Sequence, residues 1–116
     1  MDISISSFGI WQIILLKGKF LMKAISNMTK TFENSEKNGK INIAIDLSQT
    51  THIDSSALAC IMQQYRHLSK KNGKLVLLGA NEDIADIISI VGLDSTIPVF
   101  KTKADFIKSV FDNEKK

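Results

Sequence analysis

The sequence predicts one α/β domain: a mixed, centrally parallel sheet of about five strands with about four helices packed against it. Three observations carry this prediction. Strand-like stretches alternate with helix-like stretches of about a dozen residues, the order expected of crossover units. The run from Ile41 to Leu47 is apolar enough on both of its alternating faces to be a strand covered on each side. Finally, 116 residues with 44% apolar content suffice for one core without disulfide or metal staples, and no repeat, low-complexity stretch or linker divides the chain. The expected domain is 1–116, with a core over about 3–111 and a frayed polar tail over 112–116.

Taken in order, Ile3, Ile5 and Phe8 open an extended segment, and Ile10 to Leu16 continues with β-branched and aromatic residues before a break at Lys17-Gly18-Lys19. These two short strands are read as antiparallel neighbours. From Leu21 the period changes, with Ala24, Ile25, Met28 and Phe32 near helical spacing and Asn38-Gly39 as a stop. Ile41, Ile43 and Ile45 then form the central strand, followed by a polar bend at Ser48-Gln49-Thr50-Thr51. A second helix starts at Asp54-Ser55-Ser56, because Leu58, Ile61, Met62, Tyr65 and Leu68 recur at three- and four-residue intervals. Lys70 and Lys71 suit the negative end of its dipole, and Asn72-Gly73 provides a glycine able to take a left-handed cap.

Lys74 to Leu78 is a short apolar strand, and Asn81 caps a third helix with Glu82 and Asp83 in its first turn. Ile84, Ile87, Ile88 and Val91 form the buried stripe of that helix, closed by Gly92. Thr96 to Phe100 reads as a strand that Pro98 forces to a sheet edge, since proline donates no ladder hydrogen bond. Thr102 and Asp105 stand at capping-box spacing ahead of a last helix with Phe106, Ile107, Val110 and Phe111 on one face.

Composition narrows the function. The net charge is +3, from 15 basic and 12 acidic residues in small scattered groups, and most aromatics sit among aliphatics, so nucleic-acid binding is not expected. Cys60 has no bridging partner and lies beside Ile61 and Met62, as a buried thiol in a reducing cytoplasm would. Met1-Asp2 begins no basic leader, and the run Ile13 to Leu16 is far shorter than the ~20 residues of a spanning helix, so neither secretion nor membrane insertion is expected. His52 and His67 lack ligands at metal-site spacing and read as polar surface. A Gly-x-Ser-x-Gly elbow and a Gly-x-x-x-x-Gly-Lys loop are both missing, so neither an enzyme nor a cofactor is predicted.

The remaining feature is Asp54-Ser55-Ser56. Serine and aspartate are preferred helix caps, so the bare tripeptide is explained by capping alone. For Asp54 two roles stay open, orienting a serine hydroxyl or complementing the helix dipole. Asp46 is read as a bend-former.

The segments Ile43-Ala-Ile-Asp-Leu-Ser48, Ile53-Asp-Ser-Ser-Ala-Leu58, Gly73-Lys-Leu-Val-Leu-Leu78 and Ile88-Ser-Ile-Val-Gly-Leu93 together resemble the STAS domains, within them the anti-sigma factor antagonists of bacterial partner-switching systems. The resemblance follows the element order over roughly residues 10–111. It implies a single STAS-like domain and a regulatory binding protein, not an enzyme. Unphosphorylated, such a protein binds an anti-sigma factor that is itself a serine kinase of the histidine-kinase-like ATPase type, and so releases a sigma factor. Phosphorylated, it lets go until a phosphoserine phosphatase restores it.

By the same resemblance the phosphoacceptor is Ser55, with Ser56 as the alternative, and Asp54, Ser55, Ser56 and Ala57 form the partner contact. Two positions depart from the family pattern. Ala57 stands where glycine is usual, and Gly18 is followed by Lys19, Phe20, Leu21 and Met22 without the acidic residue common in phosphorylated members. These departures fit a second reading, a constitutive STAS-type scaffold or accessory subunit of a signalling or transport complex. Self-association is left open, at an edge around Pro98 or at the first strand.

Overall fold

The computed structural model describes residues 1–114. β1 (Asp2–Phe8) and β2 (Trp11–Phe20) form an antiparallel hairpin. After a 3-10 turn at Met22–Ala24 come α1 (Ile25–Lys37), β3 (Asn42–Asp46), β4 (Thr50–Ile53) and α2 (Ser55–Ser69). The chain continues through β5 (Lys74–Leu78), α3 (Glu82–Ile90), a 3-10 turn at Leu93–Ser95, β6 (Val99–Phe100) and α4 (Lys103–Glu114). The sheet order is β1-β2-β3-β5-β6, parallel from β2 onward, with β4 paired to β2 off that path. The mixed α/β architecture and the central place of the Ile43–Ile45 strand are therefore as the sequence predicts.

The two-residue period of each strand sorts its side chains between two cores. Ile14, Leu16, Phe20, Ile43, Ile45, Leu75 and Leu77 face one way, against Met28 and Phe32 of α1, Ala57, Ile61 and Leu68 of α2, and Ile84 and Ile88 of α3. Trp11, Ile13, Ala44, Val76 and Leu78 face the other way, against Phe106 of α4. The Trp11 and Phe106 rings meet edge to face with centroids 5.0 Å apart, a favoured aromatic geometry. Ile43, Ala44 and Ile45 are completely buried. That continuous burial is why the strand reads as an unbroken apolar run.

Five local expectations are corrected. Lys17-Gly18-Lys19 is not a break, because β2 runs through it to Phe20. Gly18 has φ +106°, a conformation side chains rarely tolerate, and the pairing register shifts between Gly18 and Lys19. The first half of β2 consequently pairs with β3, and the second half with β4. The polar stretch after β3 is only partly a bend, since Thr50 and Thr51 begin β4, whose buried Thr50 hydroxyl donates to the Leu16 carbonyl at 2.8 Å. The left-handed residue after α2 is Asn72 (φ +62°) and not Gly73.

The strand expected over Thr96–Phe100 is reduced to Val99–Phe100, because the Leu93–Ser95 turn and the fully buried Ile97 occupy its first half. The tail is shorter than expected, because α4 continues through Asp112 and Asn113 to Glu114. Positions 115 and 116 of the expected tail lie outside the described residues. Elsewhere the capping chemistry holds: Asn81 accepts from the Ile84 N–H at 2.9 Å, and the Thr102 hydroxyl accepts from the Asp105 N–H at 3.0 Å.

Gly73 has a different function from a cap. A Cβ at this position would lie 2.3 Å from the Ile41 carbonyl oxygen, which accepts the hydrogen bond from the Lys74 N–H that leads into the β3–β5 pairing. Backbone, not a flexible side chain, would have to move. Gly73→Ala is expected to cost about 2 kcal/mol or more and to lower Tm by roughly 8 °C or more. A thermal melt by circular dichroism measures this, and an unchanged Tm would contradict the close approach.

Candidate functional site

α2 begins where it does because Asp54 ends β4's extended backbone and turns its carboxylate onto the helix. One carboxylate oxygen, Oδ1, accepts from the Ala57 N–H at 2.9 Å, the hydrogen bond of an N-cap residue. The other, Oδ2, accepts from the Met22 N–H at 2.9 Å, across 32 residues of sequence. A single side chain therefore fixes both the start of α2 and the segment joining β2 to α1. The Asp54 carbonyl accepts the first intrahelical bond, from Leu58 N–H at 3.1 Å.

The serines are thus not the cap; Asp54 is. Ser55 is the first helical residue and is exposed, with its hydroxyl outside the capping hydrogen bonds. Ser56, next in the first turn, is only partly exposed. The Ser55 and Ser56 N–H groups occupy first-turn positions that have no intrahelical acceptor, and they sit at the positive end of the helix dipole. Ala57 is fully buried in the core beneath the helix. Its methyl lies against the core, so the expectation that Ala57 belongs to the contact surface is corrected for its side chain.

Sequence reasoning did not place the segment joining β2 to α1 beside this site. A groove of about 620 Å³ beside Asp54 is lined by Lys19, Leu21, Met22, Lys23 and Asn27, among others. Lys19 and Lys23 are exposed, and Met22 is 68% exposed although its backbone is pinned to Asp54. No periodic signal could reveal Met22, whose link to the site is through its backbone. In register Lys19 stands beside His52, and Phe20 beside Ile53. The stretch after Gly18 that departs from the family pattern thus borders the same groove as Asp54.

The other candidates have structural roles. The nearly buried Asp46 accepts from the Ser48 N–H at 2.9 Å and forms the expected bend. His52 is exposed beside Thr51, and His67 joins Lys71 in an ion-paired cluster on Glu36, which ties α2 to α1. Hydrogen bonds from Lys71 and His67 hold the Glu36 carboxyl below the usual carboxylate range. Cys60 is half-buried against the main core, and desolvation pushes its thiol pKa up, opposite to the shift that activates a nucleophile. Among the described residues there is no group of three or more His, Cys, Asp or Glu that could hold a metal, and no helix long and apolar enough to cross a membrane.

Comparison with known proteins agrees with this geometry. The STAS domain family profile matches residues 9–106. Among solved structures, an anti-sigma factor antagonist from Mycobacterium paratuberculosis superimposes with a TM-score of 0.83 at 19% identity, covering 94% of this chain and 92% of that one. The Bacillus cell fate determinant SpoIIAA in its phosphorylated form gives 0.73 at 17% identity, covering 94% of this chain and 99% of that one. A sulfate transporter family protein from Wolinella succinogenes gives 0.74 at 13% identity, covering 89% and 88%.

Because Asp54 provides both the cap and the link to Met22, Asp54→Ala is expected to destabilise the domain by about 1–3 kcal/mol. Asp54→Asn keeps one carbonyl oxygen for the two donors and should fall between the two proteins. Urea denaturation measures both, and a loss below about 0.5 kcal/mol for Asp54→Ala would mean that the clasp is not maintained in solution.

Proposed function

The chain belongs to the STAS domain family, and from that premise we propose that it is a regulatory protein-binding switch of the anti-sigma factor antagonist type. Its unphosphorylated form binds an anti-sigma factor that is a serine kinase of the histidine-kinase-like ATPase type, and a sigma factor is released. Phosphorylation of Ser55 abolishes that binding, and a phosphoserine phosphatase reverses it. The chain works in the cytoplasm as a binding partner without catalysis of its own, and the ATP belongs to the kinase.

One observation carries this reading: Ser55 is exposed at the first position of α2, while Asp54 does the capping. Its hydroxyl is free of a structural task. A neutral hydroxyl is buried at a partner surface at little cost, whereas a phosphoserine brings about −1.5 to −2 charges and three strong acceptor oxygens. With Asp54 adjacent, an interface lacking basic groups would have to desolvate that charge next to a carboxylate. The penalty readily exceeds the ~1.4 kcal/mol that changes affinity tenfold.

The domain itself tolerates the same modification. A phosphate on Ser55 faces the first-turn N–H groups and the positive end of the dipole, a favourable place for an anion. Ser56 is the less accessible of the two hydroxyls, which favours Ser55 as acceptor. That SpoIIAA, a structural neighbour, exists in a phosphorylated form supports the same reading. Asp54, Ser55 and Ser56, together with the pinned Met22, form the contact surface.

A second reading is a constitutive accessory subunit of a signalling or transport complex, in which the serines are never modified. The structural neighbour from the sulfate transporter family favours it, as does Lys19 in place of an acidic residue.

Affinity capture of the wild-type chain from its native extract, with mass spectrometry for phosphate on Ser55 and Ser56, separates the two. A histidine-kinase-like ATPase with phosphoserine 55 is expected. Transport subunits captured with unmodified serines would contradict the switch. With the purified kinase, Ser55→Asp and Ser55→Glu should each weaken binding by more than about tenfold and leave the circular-dichroism melt nearly unchanged. Wild-type affinity in both variants would overturn the role of Ser55.

A further inference from the structure

Three helices close one face of the sheet, but α4 alone closes the other. On that second face a groove of about 470 Å³ remains between β5, β6 and the flank of α4. Its walls are apolar and largely aromatic, formed by Trp11, Val76, Phe100, Phe106 and Val110. Ile10 borders it and is 68% exposed, extending the apolar wall toward solvent. The groove shares no lining residue with the Asp54 site and lies on the opposite face of the sheet from α2.

Three polar side chains reach this groove: Ser109, Asn113 and Lys74. Among the described residues lining it, Lys74 is the only charged one. Side chains two apart on a strand share a face, so Lys74 stands beside Val76 at one end of the apolar wall. A cation at the end of an aromatic slot, with hydroxyl and amide groups nearby, is complementary to a molecule that is apolar along its length and anionic at one end.

Size points to a small molecule. The volume falls within the ~300–1,000 Å³ of small-molecule sites. We propose that the groove between β5, β6 and α4 is a binding site for a small amphipathic anion, an apolar chain or ring system bearing one carboxylate or similar group held by Lys74. This inference does not rest on the phosphorylation reading.

Trp11 is the single tryptophan of the chain and forms part of the wall, so its fluorescence reports occupancy. The probe is dodecanoate, titrated into the full chain below its micelle concentration, with dodecanol as the uncharged counterpart. Dodecanoate is expected to change Trp11 emission saturably, one molecule per chain, and to bind about tenfold more tightly than dodecanol. Lys74→Glu should weaken dodecanoate about tenfold or more, while Lys74→Arg retains it. Lys74 is exposed at the start of β5, and thermal melts verify that both variants fold.

The comparison of dodecanoate with dodecanol on the wild-type chain needs no variant. Equal affinity for the two would overturn the proposal, as would the absence of any saturable change both in Trp11 emission and in the amide NMR signals of Val76, Phe100 and Val110. An amphipathic helical peptide that perturbs those same signals and binds more tightly than dodecanoate would also overturn it, by assigning the groove to a protein partner.

Discussion

The site depends on one carboxylate. Asp54 accepts hydrogen bonds from Ala57 and from Met22, and those two bonds join elements that pack against different parts of the sheet. Without the first, α2 lacks its cap; without the second, the β2–α1 connection is free to leave the helix start. Because aspartate does this work, the adjacent serine is left available at the surface. Were Ser55 itself the N-cap, its hydroxyl would be engaged by the first-turn N–H groups.

Asp54 is itself held by the sheet. Gly18 allows β2 to bend and change partners, so that β4 pairs beside β3 and delivers Asp54 to the carboxyl ends of the parallel strands. The Thr50 hydroxyl donates to the Leu16 carbonyl, and the Gly18 N–H donates to the Gln49 carbonyl at 3.0 Å. The Asn81 side-chain amide, at the start of α3, donates to the Thr50 carbonyl at 3.3 Å. Open parallel sheets generally place their sites at this edge, where helix N-termini and strand ends converge. Here that edge carries Asp54 and the exposed Ser55, and the less covered second face carries the groove with Lys74.

The fold was legible where burial imposes a period. Ile43 to Ile45 and Leu75 to Leu78 are buried on both faces, and the helical stripes of α2 and α3 repeat at three and four residues, except that Val91, expected in the α3 stripe, follows the helix end and is 56% exposed. Caps with a side-chain acceptor, Asn81 and Thr102, were equally readable. The errors fell where a non-local contact overrides local preference. Lys17-Gly18-Lys19 looks like a break in isolation, yet its glycine is what lets two strands pair along one. Thr50-Thr51 looks like a polar bend, yet Thr50 is buried through a bond to a strand 34 residues away. Of the site, the helix start at Asp54-Ser55-Ser56 followed from spacing. The division of labour between Asp54 and the serines did not, because either residue type can cap; nor did Met22, which joins through its backbone.

The central claim is that charge can be added at Ser55 without disturbing the domain beneath it. Incorporating phosphoserine at position 55 and recording amide NMR spectra tests this most directly. The account predicts shifts confined to Ser55, Ser56 and the neighbouring Lys19, Met22 and Lys23 segment, with β3 and β5 signals unchanged. Shifts spread through Ile43–Ile45 and Leu75–Leu78, or a loss of spectral dispersion, would contradict it.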